Sequence, residues 1–437
     1  MHRSLSLIAL LGLLLSAAAQ DGARPLALEE ALSLADSRGY QVRLAAAQLA
    51  EARGQSLEAW SGILPTASVS TGFVRTTDPV AVFGFKLRQG VFTQNDFSLP
   101  ALNSPDEFEN YTTGIQLQVP LVNLDAIFGK LAANAAGNAR RAALERTREV
   151  VAFHVTSAYY GLILSSESLT AIEEAIATAE AHRDNARAAF EQGMVSRADV
   201  LAAEVRVGEL KEQRIVAANQ VQTVSDGLKL LLGLSDEPRP LSPTDSLVTP
   251  AAKLPGADAP LSARADLRAA GFQLSAARRG RWMAVGSWLP RINGFGSREW
   301  HSPDLLGTDA DNWTIGVQAS WTLFRGFGNL GSAKAAGARV RQMETQYDQA
   351  LHQAANEVSA ARRNVEAARQ RIAVARTAME QAGESLDITS ARYREGLEKT
   401  ADLLDAELTR TRTRLRWLAA RHDYAIARHE LALALGQ

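Results

Sequence analysis

The 437-residue sequence predicts a mainly α chain with a small β part, built from one unit used twice. Three observations predict it. The stretch Phe190-Glu-Gln-Gly193-Met194-Val195-Ser-Arg-Ala198-Asp199-Val-Leu201-Ala-Ala-Glu204 returns 203 residues later as Tyr393-Arg-Glu-Gly396-Leu397-Glu-Lys-Thr-Ala401-Asp402-Leu-Leu404-Asp405-Ala-Glu407. An aromatic, Gly, Ala, Asp, Leu and Glu recur in register, so one supersecondary unit is duplicated. Proline is absent between Pro120 and Pro238 and again after Pro303, which leaves room for very long helices. Four short stretches alternate polar and apolar residues with the period of a strand.

The chain opens with a secretory signature. Met1-His-Arg3 is a basic start, Leu5–Leu15 an apolar run, and Ala17-Ala18-Ala19 a cleavage site, so residues 1–19 are expected to be a signal peptide and are set aside from the fold. The apolar run is too short for a membrane anchor. Losing Arg3 leaves 46 basic residues against 48 acidic ones, and this near-neutral balance predicts no nucleic-acid partner. Cysteine is absent, which excludes disulfides, thiolate metal sites and lipid attachment through Cys. No other stretch approaches 18 apolar residues, so a membrane-entering chain would enter as strands.

The first repeat is placed at 20–234. Leu26 to Trp60 carries a helical period through Leu28, Ala31, Leu32, Ala35, Leu44, Ala47 and Leu49. Leu64-Pro65 ends it. Ala67, Val69, Thr71 and Phe73 then share one face of a strand, and Ile115, Leu117 and Val119 share one face of a second. Between them the loop Thr77–Asn110 is long enough to be either functional or disordered. Leu124–Phe190 reads as an uninterrupted helix about 100 Å long. Gly193 reverses the chain, and Ser196 or Arg197 with Asp199 restarts a helix. Ala203, Val207, Leu210, Ala217, Val221, Val224, Leu228 and Leu231 make a coiled-coil seam that ends at Gly233. The lengths imply that two shorter helices stack end to end beside each long one.

Residues 235–260 hold six of the fourteen prolines and form the linker. The second repeat, 261–437, restates the plan: a helix over 261–287, the Leu289-Pro290 break, strands over Arg291–Trp300 and Trp313–Trp321, a long helix from about 328 to 393, the Gly396 tip and a returning helix to Leu435. The fourth strand alternates most cleanly and the third poorly.

Four strands of nine or ten residues suit a tilted bilayer crossing. Their apolar face is flanked by Trp60, Trp288, Trp300, Trp313 and Trp321, as interfacial girdles are. Four strands cannot close a barrel, whereas three copies would supply twelve. A soluble four-stranded sheet capping a coiled coil is the alternative.

These features resemble the TolC-like outer-membrane efflux channel family over nearly the whole chain beyond residues 1–19, Leu26 to Gly436. The duplicated tip, the Leu-Pro junctions at 64–65 and 289–290, and the turn Trp321-Thr-Leu323-Phe324-Arg-Gly326 carry the resemblance. The run Pro79-Val-Ala-Val-Phe83-Gly84-Phe-Lys86-Leu87-Arg-Gln89-Gly90-Val-Phe92 is similar to an external loop of one branch. The resemblance implies a homotrimer with a 12-stranded barrel in outer-membrane lipid, an α-helical tunnel through the periplasm, and an equatorial belt at the linker. With Gln437 directly after the last helix, no C-terminal extension is expected to add to that belt. It further implies a passive export duct opened by a periplasmic adaptor and an inner-membrane transporter. A soluble periplasmic adaptor or scaffold shares the long hairpins but has no need of two strand pairs. The tip residues Gly193, Met194, Val195, Gly396 and Leu397 would meet the adaptor, although Gly also serves simply to reverse the chain. Asp402 and Asp405, three apart on a helix, would line the narrowest part of the entrance, with Asp199 as the acidic partner of a tip lock. Where the family has a basic residue for that lock this chain has Glu398, with Lys399 and Arg197 as substitutes. A solvated acidic face with Glu395, Glu398 and Glu407 is the competing reading.

No catalytic residues, cofactor or metal are expected. Gly326-Phe-Gly328-Asn-Leu-Gly331 matches a dinucleotide fingerprint, but sixty helical residues follow it where a strand should return. Its glycines suit a strand bending into a helix. The seven histidines lack metal-protease spacing, and no nucleophile elbow is present.

Overall fold

The computed structural model describes residues 22–247 and 260–437. The expected signal peptide and the middle of the proline-rich linker lie outside the described residues. Along the chain come β1 (Arg24–Leu26), α1 (Leu28–Arg38), α2 (Tyr40–Glu58), β2 (Thr66–Thr76), α3 (Pro79–Arg88), α4 (Leu99–Asn103), β3 (Phe108–Val122), α5 (Leu124–Glu191) and α6 (Arg197–Leu232). The second half adds β4 (Leu241–Pro243), α7 (Ala265–Gly286), β5 (Arg291–Ser302), β6 (Ala310–Ser320), α8 (Gly328–Arg394) and α9 (Thr400–Leu435).

The long helices α5 and α8 span 68 and 67 residues, about 100 Å each. Runs of small buried residues spaced by threes and fours mark both: Ala135, Ala139 and Ala142 on α5, then Ala354, Val358, Ala361, Val365 and Ala368 on α8. Small side chains let neighbouring helices approach closely over that length. Helices α1, α2 and α6 lie along α5, while α7 and α9 lie along α8. Helix α7 also packs on α5 and joins the two repeats.

The continuous helix expected over 26–60 is interrupted. Leu26 belongs to β1, and the helix breaks at Gly39. A Cβ on Gly39 would lie 2.3 Å from the Ala35 carbonyl oxygen and 3.2 Å from that of Leu231 at the end of α6. Gly233 then turns with φ of 67°, its own missing Cβ 2.6 Å from the Arg38 carbonyl oxygen. The end of one helix thus meets the junction of two others, backbone to backbone.

The start of the described chain and the linker meet there. β1 pairs in parallel with β4, which brings the linker beside the start of the described chain. The Tyr159 hydroxyl, fully buried on α5, lies 2.8 Å from the Leu26 carbonyl oxygen and 2.7 Å from Asp245 Oδ2. The Leu28 N–H donates to the same carboxylate oxygen at 2.9 Å, so Asp245 caps α1 from the linker. Leu26, Leu228, Leu232, Leu241 and Leu247 pack around this knot.

The four longer strands form one antiparallel sheet in the order β2-β3-β5-β6. Register places Ser68 beside Gln116 and Ser297 beside Thr314, and Val69 beside Ile115. One face therefore carries Ser68, Ser70, Gln116, Gln118, Asn293, Ser297, Thr314 and Gln318. The other carries Val69, Phe73, Ile115, Leu117, Trp300, Trp313, Ile315 and Val317. In a single chain Ile315 and Val317 are 76% and 69% exposed. The strand alternating poorly in sequence, β5, is a central strand of 12 residues. Its polar face includes Phe295, whose ring lies 2.6 Å from where a Cβ on Gly316 would be, so a side chain at 316 would have to displace that ring.

The 77–110 segment is ordered rather than open loop. Asp78 accepts from the Ala81 N–H and caps α3, with Pro79 at its first turn. Gln89 is buried and donates to the Glu109 carbonyl at 3.0 Å and to Asn110 Oδ1 at 2.9 Å. Asn110 meets His301 Nδ1 at 3.2 Å. Asn110 and His301 lie on the polar face, so α3 is fastened to that side, where Phe85 faces the His301 ring.

Candidate functional site at the hairpin tips

Both hairpins reverse by the same device. At the end of α5 the Gly193 N–H donates to Phe190 O at 2.9 Å and the Met194 N–H to Ala189 O at 2.9 Å. At the end of α8 the Gly396 N–H donates to Tyr393 O at 3.0 Å and the Leu397 N–H to Arg392 O at 2.9 Å. This pair of bonds is the Schellman motif, and it satisfies carbonyls the helix end leaves free. Gly193 and Gly396 take φ of 73° and 76°. A Cβ on either would touch nothing within 4 Å, so glycine is required by the backbone angle and not by crowding. The residues that follow, Met194 and Leu397, are exposed, while Val195 is half-buried.

The restarts differ. Ser196 and Asp199 form a capping box on α6: the Asp199 N–H donates to Ser196 Oγ at 3.3 Å, and Ser196 N–H donates to Asp199 Oδ2 at 2.9 Å. Hydrogen bonds from Ser196 hold the Asp199 carboxyl below its ordinary range, and the Thr400 hydroxyl of the other tip adds to the effect. In the second copy Lys399 precedes α9 without a side-chain cap, and Thr400 turns its hydroxyl to Tyr393 Oη at 3.3 Å. Glu398, at the position where a basic residue was expected, pairs with Arg392 at 2.8 Å inside its own tip. The tips of the two repeats therefore approach through Asp199 and Thr400.

Asp402 and Asp405 are both exposed on the first turns of α9. Asp402 sits in the first turn, where the helix dipole favours a negative charge. Glu407 departs from the solvated acidic face considered from sequence: it is 1% exposed. Its repeat mate Glu204 is half-buried and paired with Arg187, so the sequence repeat carries no sign of the difference. Among the described residues no cluster of His, Cys, Asp and Glu could hold a metal ion. The glycine-rich turn at 326–331 bends the chain from β6 into α8, with Gly326 and Phe327 at φ of 54° and 65°.

Two long hairpins, a polar-and-apolar sheet at one end and apolar tips at the other define an elongated wall element of a membrane duct. The chain matches the model of the outer membrane efflux protein family over residues 31–234 and 258–437, and it belongs to that family of outer-membrane channels. Solved structures share the fold. CusC superposes with a TM-score of 0.80 at 17% identity, covering 94% of this chain and 92% of its own. VceC of Vibrio cholerae gives 0.77 at 18%, covering 94% and 96%. The CmeC outer membrane channel of Campylobacter jejuni gives 0.79 at 18%, covering 94% and 85%. No curated protein matches the chain.

Proposed function

We propose that three copies close the sheet into a 12-stranded barrel in the outer membrane and continue it as a helical tunnel into the periplasm. The observation that carries this reading is the four-stranded sheet with two unpaired outer edges, at β2 and β6. Unpaired edges cannot rest in lipid, and four strands cannot close on themselves. Pairing β6 of one copy with β2 of the next removes every edge. It also turns Ser70, Gln116, Ser297 and Gln318 to a wet lumen, and Val69, Ile115, Ile315 and Val317 to the lipid.

The duct is passive and has no catalytic machinery of its own. A periplasmic adaptor meets Met194, Val195 and Leu397 at the tips, with Gly193 and Gly396 shaping the turn. The adaptor couples the duct to an inner-membrane transporter, which selects the cargo. Six carboxylates from Asp402 and Asp405 line the entrance in two rings, and Asp199 fastens the first tip through its capping box. Fractionation tests the assembly. The protein should appear in the outer membrane as a trimer that dissociates on heating; a soluble monomer would overturn the reading.

A further inference from the structure

Glu407 is the most deeply buried acid of the described chain, 1% exposed on α9. Neither carboxylate oxygen has a hydrogen-bond partner. It lies in the stripe Thr400, Leu403, Glu407, Thr411, which faces the interior of the α8–α9 hairpin and its neighbour α6. Across from it on α6, Arg206 is 6% exposed, with Nε and Nη2 unpartnered. Only Arg206 Nη1 is engaged, at 3.2 Å from Glu209. Arg206 lines a groove of about 740 Å³ between the hairpins, together with Glu209, Glu212, Leu408 and Arg412.

The repeat shows that this burial is particular to the second copy. Glu204 occupies the matching position in the first, half-buried and paired with Arg187. The residue in register with Arg187 is Ser390, so Glu407 has lost that cation. A buried carboxylate without hydrogen bonds strongly favours its neutral form. The charged groups acting on Glu407 are Arg206 from α6 and Arg410 from its own helix, both too weak to offset burial. Among the described residues, no charged group of α5 or α8 acts on it.

We propose that Glu407 and Arg206 form a proton-responsive contact between the two hairpins of one copy. With the carboxyl protonated, α9 packs on α6 as in this structure. When Glu407 releases its proton to solvent, the carboxylate and guanidinium demand water or each other, and the packing loosens. Burial raises the Glu407 pKa to about 7 from an ordinary 4.5. The packed arrangement is therefore favoured at low pH, and it loses that advantage as pH rises from the ordinary value to the raised one. That the loosening bears on the entrance at Asp402 and Asp405 rests on the function proposed above.

Hydrogen exchange on the detergent-extracted protein tests the contact. With chemical exchange rates corrected for pH, the opening constant of amides 403–411 should rise about twentyfold between pH 5.5 and 7.5, following the shift from 4.5 to about 7. Glu407→Gln should remove that slope, and Glu407→Leu, which continues the apolar stripe, should do the same. Arg206→Gln should move the midpoint upward, since Arg206 favours the carboxylate. A flat wild-type profile, or a slope surviving in both Glu407 variants, would overturn the proposal. Single-channel conductance over the same pH range separates the two claims. A slope in exchange without one in conductance leaves the contact standing and removes its link to the entrance.

Discussion

Gly193 and Gly396 reverse the chain with φ of 73° and 76°, in open space. A side chain there costs about 1 kcal/mol of local strain and displaces nothing. Replacing either glycine with a bulky residue should therefore leave heat-dissociable trimers in the membrane, while the side chain, standing on the docking surface proposed above, abolishes export; loss of the trimers as well would make the glycines structural. The separate change Met194→Asp with Leu397→Asp leaves the turn intact and places charge on the exposed apolar tips. It should abolish co-purification with the adaptor at unchanged thermal stability; retained co-purification would take these residues out of the docking surface. Asp402 and Asp405 carry the second prediction at this scale. Crowded carboxylates draw cations into a mouth, so single channels should prefer cations and be blocked by divalent ions. Asp402→Ala with Asp405→Ala should lose both properties, and unchanged selectivity would place the pair elsewhere. The tips were readable from sequence because Gly, Asp and Glu recur in register. The division of labour between Asp199 and Asp402 was not, because it depends on Ser196 standing where the second copy has Lys399.

Elements differ in how openly the chain declares them. The long helices follow from the absence of proline and from alanine spacing, and their bounds fall within a residue or two of those expected. β6 follows from strict alternation. β5 was obscure because Gly294, Gly296 and Arg298 occupy its apolar face, and only its neighbours β3 and β6 make it a strand. The break at Gly39 was hidden because the apolar period runs through it, and one of the two backbone carbonyls crowding it, that of Leu231, is 192 residues away. α3 was hidden inside a loop of mixed composition, and the buried side chain of Gln89 hydrogen-bonds its end to β3. Gln89→Ala removes both bonds. Proteolysis should then cut within 79–103 at least several-fold faster with the sheet unaffected; an unchanged rate would show that the aromatic contacts of Phe83, Phe92 and Phe97 suffice. The junction of linker and α1 offers a test of stability. Asp245→Ala removes the cap of α1 and one of the two acceptors for Tyr159, a loss of about 1 kcal/mol, visible as a lower Tm. Hydrogen bonding to Tyr159 lowers the Asp245 pKa. Its contribution is thus present above the ordinary carboxylate range and lost as pH falls through the lowered value. The wild-type and variant melting curves should converge in acid.

For the whole molecule, one chain is an incomplete object. Ile315, Val317, Trp313 and Val69 stand open on one side of a sheet that has two free edges. Ile215 and Val216 are likewise exposed midway along α6, where the seam expected from sequence opens. Such surfaces in a single chain call for neighbours, and in the assembly proposed above lipid and two further copies would supply them. Cysteine cross-linking between the edge strands tests this most directly. Cysteines at Ser68 or Ser70 of β2, scanned against Thr314 or Gln318 of β6, should give under oxidation a covalent ladder that ends at three chains and survives boiling. A ladder running past three, or cross-links confined to single chains, would contradict a barrel closed by three copies.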